Sequence, residues 1–409
     1  MEGPPRLTLC LIARDEEDLL ARCLTSVRGV ADEIVFVDTG STDRTSEIAR
    51  SFGARVFTFP WTGSFAEARN FSLDQARGQW ILVLDADEEL QADDREKLLA
   101  LVKRAETAAE AGPEGYFLVT ISYTGDVPGD EGEVDLRLSL FRNRSRYRYR
   151  GAIHEDIADS IRGASGSAEG RASDVALGIA DIRILHYGYL TPRWLGKQKS
   201  RRNTAALRSE LALTPDDPFL HYSLGAELVP LQDYDGALRE FEVARTRWTC
   251  EAPQYPDLVK KIATCWMAKA DYWRGREVLR LGVGMYPDFT DLWYLLGWAE
   301  LLTRNYRGSV DCYRRCLELG PPPPRYSSSF GVGGVFAHYG LAQVSLARAT
   351  EVLRAGVSAR PASAALATAL RRARSLLLAG GYHEAQDSAL TSHIAAGKAV
   401  PPGQLVEGQ

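Results

Sequence analysis

The sequence predicts two folds in tandem: an α/β domain built on a doubly wound, mostly parallel sheet, and after it an all-helical array. Three observations carry this. Up to residue 90, short apolar runs alternate with segments of helical period, and continuous apolar runs mark parallel strands buried on both faces. Two aspartates, Asp85 and Asp87, directly follow one such run, where open α/β sheets bind their ligands. Beyond residue 217, small and aromatic residues recur in the register of stacked helix pairs.

Leu7 to Ile12 is the first strand. It ends in Ala13-Arg14-Asp15-Glu16, and Leu19, Leu20, Cys23, Leu24 and Val27 then keep a 3.6-residue period. Glu33 to Val37 is the second strand, ending in Asp38-Thr39-Gly40-Ser41-Thr42-Asp43-Arg44-Thr45. There Gly40 allows a tight turn, and Ser41 to Asp43 offer capping oxygens to a helix running to Arg50. Arg55 to Phe59 is a third strand, followed by a helix from Ser64 to Ala76 that carries Ala68-Arg69-Asn70 and is ended by Gly78. Trp80 to Leu84 is the fourth strand, and the order βαβαβαβ implies a parallel sheet.

Residues two apart at a strand's end face the same way, so Asp85 and Asp87 are expected to converge on one cation while Ala86 packs behind them. Hard carboxylate oxygens suit Mg²⁺ or Mn²⁺, which bind through one or two carboxylates plus phosphate oxygens. The plain alternative is an acidic first turn for the next helix.

Two more strands are expected, Glu114 to Ile121 and Val134 to Phe141, with the acidic, glycine-rich stretch Gly125 to Gly132 between them as a loop over the substrate. The run Arg142 to Arg150 alternates arginines with Asn143, Ser145, Tyr147 and Tyr149 and reads as a charged edge strand, with one or two arginines left to face a diphosphate or an acidic acceptor. His154-Glu155-Asp156 follows, and a short strand from Asp181 to Leu185 precedes His186.

At these separations, VDTGSTDRT, Ala68-Arg69-Asn70 and WILVLDADEEL resemble the nucleotide-sugar half of a glycosyltransferase family 2 enzyme with the GT-A fold, over residues 1–190. The resemblance implies that Asp38 contacts the nucleotide base with Arg69 nearby, that Asp85 lies against the ribose, and that Asp87 holds the metal bridging the diphosphate. Arg14 and Glu16, in a turn where many relatives have Lys-Asn-Glu, would complete the nucleotide-sugar surface with Gly40, Asn70 and Ala86. In that family an acidic residue near this point deprotonates the acceptor, which makes Glu155 the first choice of base and Asp156 the second. A late histidine completes the metal shell in some GT-A enzymes, so His186 is a candidate ligand beside Asp87. The structural alternatives are helix capping for Asp38 and Asp156, a solvated helical cation for Arg69, and core or structural roles for His154 and His186.

Thr191-Pro192 starts a helix, and the stretch Trp194 to Leu213 carries Lys197, Lys199, Arg201 and Arg202, a basic face that is solvated or covers the diphosphate. Gly225, Ala237, Phe241 and Ala244 then align with Trp293, Leu296, Gly297, Ser309, Tyr313, Cys316 and Pro321 in the tetratricopeptide pattern, with Gly275, Leu279, Gly282 and Pro287 as a degenerate copy between them. That makes three helical pairs in a short solenoid. Phe336 to Leu353 and Ala364 to Leu378 suggest another pair after a break from Pro321 to Gly334. The expected organisation is a catalytic domain over 1–190, a basic connecting helix over 191–216, repeats over 217–394 and a flexible tail over 395–409.

Net charge of −5 and a pI near 5.8 argue against a nucleic-acid partner. There is no apolar span long enough for a membrane helix, and Met1 to Pro5 lacks the apolar run of a secretory signal, so a cytoplasmic chain with reduced thiols is expected. Of the cysteines, only Cys312 and Cys316 have helical i, i+4 spacing, which indicates neither zinc nor a disulfide framework. The function expected is a metal-dependent inverting glycosyltransferase using a nucleotide diphosphate sugar, a UDP-sugar first, with Mn²⁺ or Mg²⁺. Its repeats would hold a peptide or protein acceptor, or a second protomer of a homodimer. It resembles the peptide S- and O-glycosyltransferases of bacteriocins and also lipopolysaccharide-core enzymes. The rivals are a small-molecule glycosyltransferase, a non-catalytic repeat protein with a relic GT-A half, and a nucleotidyltransferase, a class that usually carries a glycine-rich loop where this chain has Ala13 to Glu16.

Overall fold

β1 (Leu7–Ala13) is buried at every position and pairs in parallel with β2 (Glu33–Asp38) on one side and β4 (Trp80–Val83) on the other. Its uninterrupted apolar run hides a two-residue period. Leu7, Leu9 and Leu11 join Leu20, Leu24, Phe36 and Trp80 on one face, while Cys10 and Ile12 join Val35, Ala68 and Ile81 on the other. β3 (Arg55–Thr58) extends the parallel half beyond β2. The crossovers are α1 (Leu20–Ser26), α2 (Thr45–Ser51) and α3 (Phe65–Gln75). The register pairs Ala13 with Asp38 and Asp38 with Thr58, which sets Asp38 at the carboxyl edge.

In this computed structural model, residues 5–107, 112–124, 128, 131–164, 177–190 and 199–354 are described, and the chain divides into two units, Met1–Thr214 and Pro215–Gln409. The first unit continues through β5 (Glu88–Leu90), α4 (Arg95–Thr107), β6 (Gly115–Thr124), β7 (Glu131–Arg142), α5 (Ala158–Ala164) and β8 (Leu177–His186). β7 joins β4 antiparallel, and the sheet runs β3-β2-β1-β4-β7-β6-β8-β5, with Glu88 paired to His186 at its far end. The fold is therefore a parallel half, as expected from βαβαβαβ, extended by a mixed half.

Two local expectations are corrected. Gly78 does not end α3, which closes at Ala76; a Cβ at position 78 would fall 2.6 Å from Thr8 Oγ1, so glycine there permits close passage of two backbones. β7 ends at Arg142, so the arginine run is no edge strand. It is held instead by pairs to scattered carboxylates, Arg144 with Glu114 and Arg148 with Asp74, while Tyr147 is fully buried and donates to Glu114. The described part of the basic helix is α6 (Lys199–Leu211), within the first unit. Thr191, Pro192, Lys197, most of the Gly125–Gly132 loop, the Ala364–Leu378 helix and the tail lie outside the described residues.

The second unit stacks α7 (Pro218–Leu228) with α8 (Tyr234–Arg247), α9 (Tyr255–Ala268) with α10 (Tyr272–Met285), and α11 (Thr290–Leu302) with α12 (Tyr306–Leu319), followed by α13 (Val335–Arg354). Each pair turns by the same chemistry. A left-handed residue, Gln232, Ala270 or Arg304, precedes an N-cap, Asp233, Asp271 or Asn305, whose side chain accepts from the backbone three residues on. Small positions face rings: a Cβ at Gly225 would fall 2.5 Å from Phe241, and one at Gly297 would fall 2.9 Å from Tyr313. Cys312 and Cys316 both lie on the buried face of α12. No helix among the described residues is long and apolar enough to cross a membrane.

Candidate functional site

The loops after β1 and β2 are laced together by reciprocal hydrogen bonds. Asp15, at φ 53°, accepts from Thr42 N at 2.7 Å and donates its own N–H to Ser41 Oγ at 3.1 Å. Glu16 N donates to Thr45 Oγ1, Glu17 N to Asp43, and Arg44 N to the Glu17 carboxylate. Asp43 also caps Thr45, whereas Ser41 serves the neighbouring loop instead of α2 as the sequence had suggested. Arg14 projects outward, its Nε 3.5 Å from Asp15.

Asp38 organises its own turn. One oxygen accepts from Gly40 N at 3.0 Å and Ser41 N at 2.7 Å, the other from Ser46 Oγ, with Gly40 at φ 111°. Burial opposes ionisation here, and the donors outweigh it, holding the carboxyl below its ordinary range. Asp38 thus holds its own turn and caps no helix, since the N-cap of α2 is Arg44 with no side-chain cap bond, and the site's charge centre lies elsewhere.

That centre is a chain of alternating charge: Glu88, Arg137, Asp85, Arg69, Glu155. Arg69, buried on α3, forks between Asp85 Oδ1 and Glu155 Oε1, the latter at 3.0 Å. Arg137 of β7 forks between Asp85 Oδ2 at 3.1 Å and Glu88. Burial opposes the charge on Asp85, and the two guanidiniums more than compensate, holding it well below the carboxylate range; Glu88, almost fully buried, is pushed above that range by desolvation. Arg69 is therefore no solvated helical cation. Its Nη1 is buried with no hydrogen-bond partner in the structure.

Asp85 and Asp87 do not lie on an extended strand. β4 ends at Val83, Glu88 N bonds to Asp85 O at 3.0 Å across a turn, and the two carboxylates engage different partners while Ala86 packs into the core. Asp87 stands 3.5 Å from His186 Nε2, and the other ring nitrogen of His186 lies 3.2 Å from Ser122 Oγ. His186 closes β8 and is not beyond it. Burial disfavours the imidazolium, but Asp87 overrides this and raises its pKa above the usual value. A Cβ at Gly188 would fall 2.3 Å from Asp87 Oδ2 and 2.7 Å from His186 Nε2, so glycine lets the backbone pass close against both groups. One carboxylate and one imidazole leave coordination positions for phosphate oxygens and water, which fits Mn²⁺ or Mg²⁺.

Glu155 reaches this cluster from a loop with two left-handed residues, Gly151 at φ 92° and His154 at φ 55°. His154 is exposed, not a core histidine. Asp156 bridges to Arg150 through the backbone and its carboxylate accepts from Asp159 N at 3.4 Å at the start of α5. Asn70 spends both amide atoms on the backbone of Tyr149, fixing the approach to the same loop. Arg137 and Glu88 were missed in the sequence. The signal was present in β7, where Leu136, Leu138 and Leu140 alternate with Asp135, Arg137 and Ser139, so an arginine sits mid-strand beside the end of β4.

Residues 8–147 match the family described as glycosyl transferase family 2. A TPR repeat-containing protein of Synechococcus elongatus is 38% identical over 245 residues, covering 57% of this chain and 55% of its own. An uncharacterized glycosyltransferase of Rickettsia bellii is 38% identical over 88 residues, 22% of this chain and 30% of its own. The prophage-derived glycosyltransferase SunS of Bacillus subtilis is 24% identical over 226 residues, 55% of this chain and 49% of its own. The chain thus spans about half the length, or less, of these relatives. Residues 8–147 therefore match glycosyl transferase family 2 over β1 to β7, and paired helices of tetratricopeptide register follow in the second unit.

Proposed function

We propose that the chain is a metal-dependent inverting glycosyltransferase that moves a sugar from a nucleotide diphosphate sugar, a UDP-sugar first, to an acceptor. The observation that carries this is Arg69, which links the Asp85 carboxylate to Glu155 within one buried charge network. Glu155 accepts the acceptor's proton as the acceptor atom bonds to the anomeric carbon, and the sugar–diphosphate bond breaks on the opposite face. Asp87 and His186 are the residues that would hold Mn²⁺ or Mg²⁺, which would supply positive charge to the departing diphosphate. Of Glu155 and Asp156, the contacts favour Glu155, because Asp156 is committed to the start of α5. Asp38, Gly40, Arg14 and Glu16 border the nucleotide at the edge of β1 and β2, with the turn at Asp38 shaping the base end. Asn70 acts through the loop it anchors, and Ala86 through the core packing beneath the aspartates. The acceptor is a peptide or protein segment, a reading supported by the helical pairs, since such arrays present extended binding surfaces.

The test is nucleotide release from a panel of UDP-, GDP- and dTDP-sugars with Mn²⁺ or Mg²⁺, in the presence of candidate acceptor peptides. Glu155→Gln is expected to keep donor binding and lose transfer. Full transfer by that variant would remove Glu155 from the role of base.

A further inference from the structure

The helical pairs are joined by short connections, such as residues 286–289 between α10 and α11, but α12 and α13 are separated by residues 320–334. This long connection is a closed loop. Its neck is two glycines in near contact: a Cβ at Gly333 would fall 2.2 Å from the Gly320 carbonyl carbon, and Thr290 Oγ1 donates to Gly320 O at 2.8 Å. From the neck, the loop doubles back across the first helices of two earlier pairs, α9 and α11.

Its contacts there are those of a bound peptide. Lys260 of α9 donates to Ser327 O at 2.8 Å, and Asp291 of α11 accepts from Ser329 N at 2.8 Å. Both charged side chains are more than nine-tenths buried, and both reach main-chain atoms, which any extended peptide offers. Side-chain reading is added at one end. Tyr326 stacks on the buried ring of Phe289 at 4.3 Å and 12°, its hydroxyl donates to Asp288 at 2.7 Å, and Arg325 pairs with the same carboxylate. Lys260 is itself held by Asp257, which accepts from Tyr222 of α7, so the polar row spans three pairs.

We propose that this face of α7, α9 and α11 is a binding site for an extended peptide with a basic residue, an aromatic residue and then small residues, and that residues 321–332 fill it as an internal occupant. The partner is a peptide segment of that chemistry which displaces the loop. This rests on the reading of the helical pairs as a peptide-binding array, but none of its residues belongs to the glycosyl-transfer site, so peptide binding and sugar transfer are tested separately.

The neck allows a direct experiment. Gly320 is near enough to Gly333 for the two to be joined, excising Pro321–Val332 from the full chain. A fluorescein-labelled synthetic peptide of residues 322–330 is then titrated into the intact and excised chains by fluorescence anisotropy. The excised chain is expected to bind at least about tenfold tighter than the intact one, a 1.4 kcal/mol difference. Lys260→Met in the excised chain, or Arg325→Asp in the peptide, should each weaken binding by a similar factor. An excised chain that melts cooperatively yet binds no better than the intact one would overturn the proposal, as would binding indifferent to Lys260→Met. If the excised chain does not fold, the full-length Arg325→Ala/Tyr326→Ala variant replaces it, and failure of that variant to admit the peptide overturns the proposal equally.

Discussion

Arg69 and Glu155, 86 positions apart in sequence, meet at 3.0 Å with the arginine buried and the glutamate nearly so. The contact ties the loop carrying the proposed base to α3, whose Arg69 also pairs with Asp85 in the turn after β4. Removing a buried charge strands what it was paired with, and that sets the scale of the first prediction.

Arg69→Leu leaves Asp85 and Glu155 with a lost common partner and is expected to cost about 3–5 kcal/mol of stability. Arg69→Lys should recover only part of this, since a single ammonium nitrogen lacks the planar guanidinium whose separate nitrogens reach Asp85 and Glu155 here. Denaturant melts of the two variants would check the order; equal stabilities would show that the fork contributes nothing.

Arg137 and Glu88 should behave as one unit. Arg137→Met leaves Glu88 buried with its cation gone, and Glu88→Gln in that background should relieve the penalty, giving a double-mutant coupling above about 1 kcal/mol. Additive losses would show the pair to be independent.

Asp87→Ala should abolish the metal-dependent part of UDP binding while leaving the fold intact. The intact chain is expected to gain about 2.7 kcal/mol of stability with UDP and Mn²⁺ at a hundred times their apparent Kd. Differential scanning fluorimetry reads this directly, and an undiminished Mn²⁺-dependent shift in the variant would exclude Asp87 as a ligand.

Asp94 supplies an acid-sensitive contribution away from the site. Hydrogen bonds from Arg183, at 2.7 and 3.0 Å, together with Lys97, hold its carboxyl well below the ordinary range. A carboxyl depressed in the folded state stabilises fully above its unfolded pKa, near about 4, and that stability is lost as pH falls toward the folded value. Asp94→Asn should cost about 2 kcal/mol at pH 7 and progressively less below pH 4. The gap between the melting temperatures of the two proteins should narrow from pH 4 to pH 3; a constant gap would refute the linkage.

Tyr313 is clasped by two glycines, Gly297 of α11 and Gly340 of α13, where a Cβ would fall 2.9 and 2.4 Å from its ring. Alanine is favoured over glycine in a helix by about 1 kcal/mol, but overpacking costs about 1–3 kcal/mol, so both substitutions should destabilise, Gly340→Ala more. Urea melts would rank them, and a stabilised Gly340→Ala would mean that the ring moves aside freely.

Local pattern determined much of this protein. The apolar runs of β1, β2 and β4, the capped turns between paired helices and the small-against-aromatic register of Gly225 with Phe241 are all written in neighbouring residues, because strand burial, caps and helix periodicity act over a few positions. The aspartates after β4 and Glu155 were likewise visible as candidates. What only the tertiary structure decided is pairing across distance. Asn70 is spent on the backbone of Tyr149, Asp38 on its own turn, the arginines after β7 on Glu114 and Asp74, and Arg137 emerges from mid-strand to share Asp85 with Arg69. A charged side chain's role follows from which opposite charge the folded sheet brings to it, and separations of 52 and 86 positions leave no trace in local spacing. The same holds for residues 321–332, which read as a proline-rich break and fold back against α9 and α11, where Lys260 donates to Ser327 O and Asp291 accepts from Ser329 N.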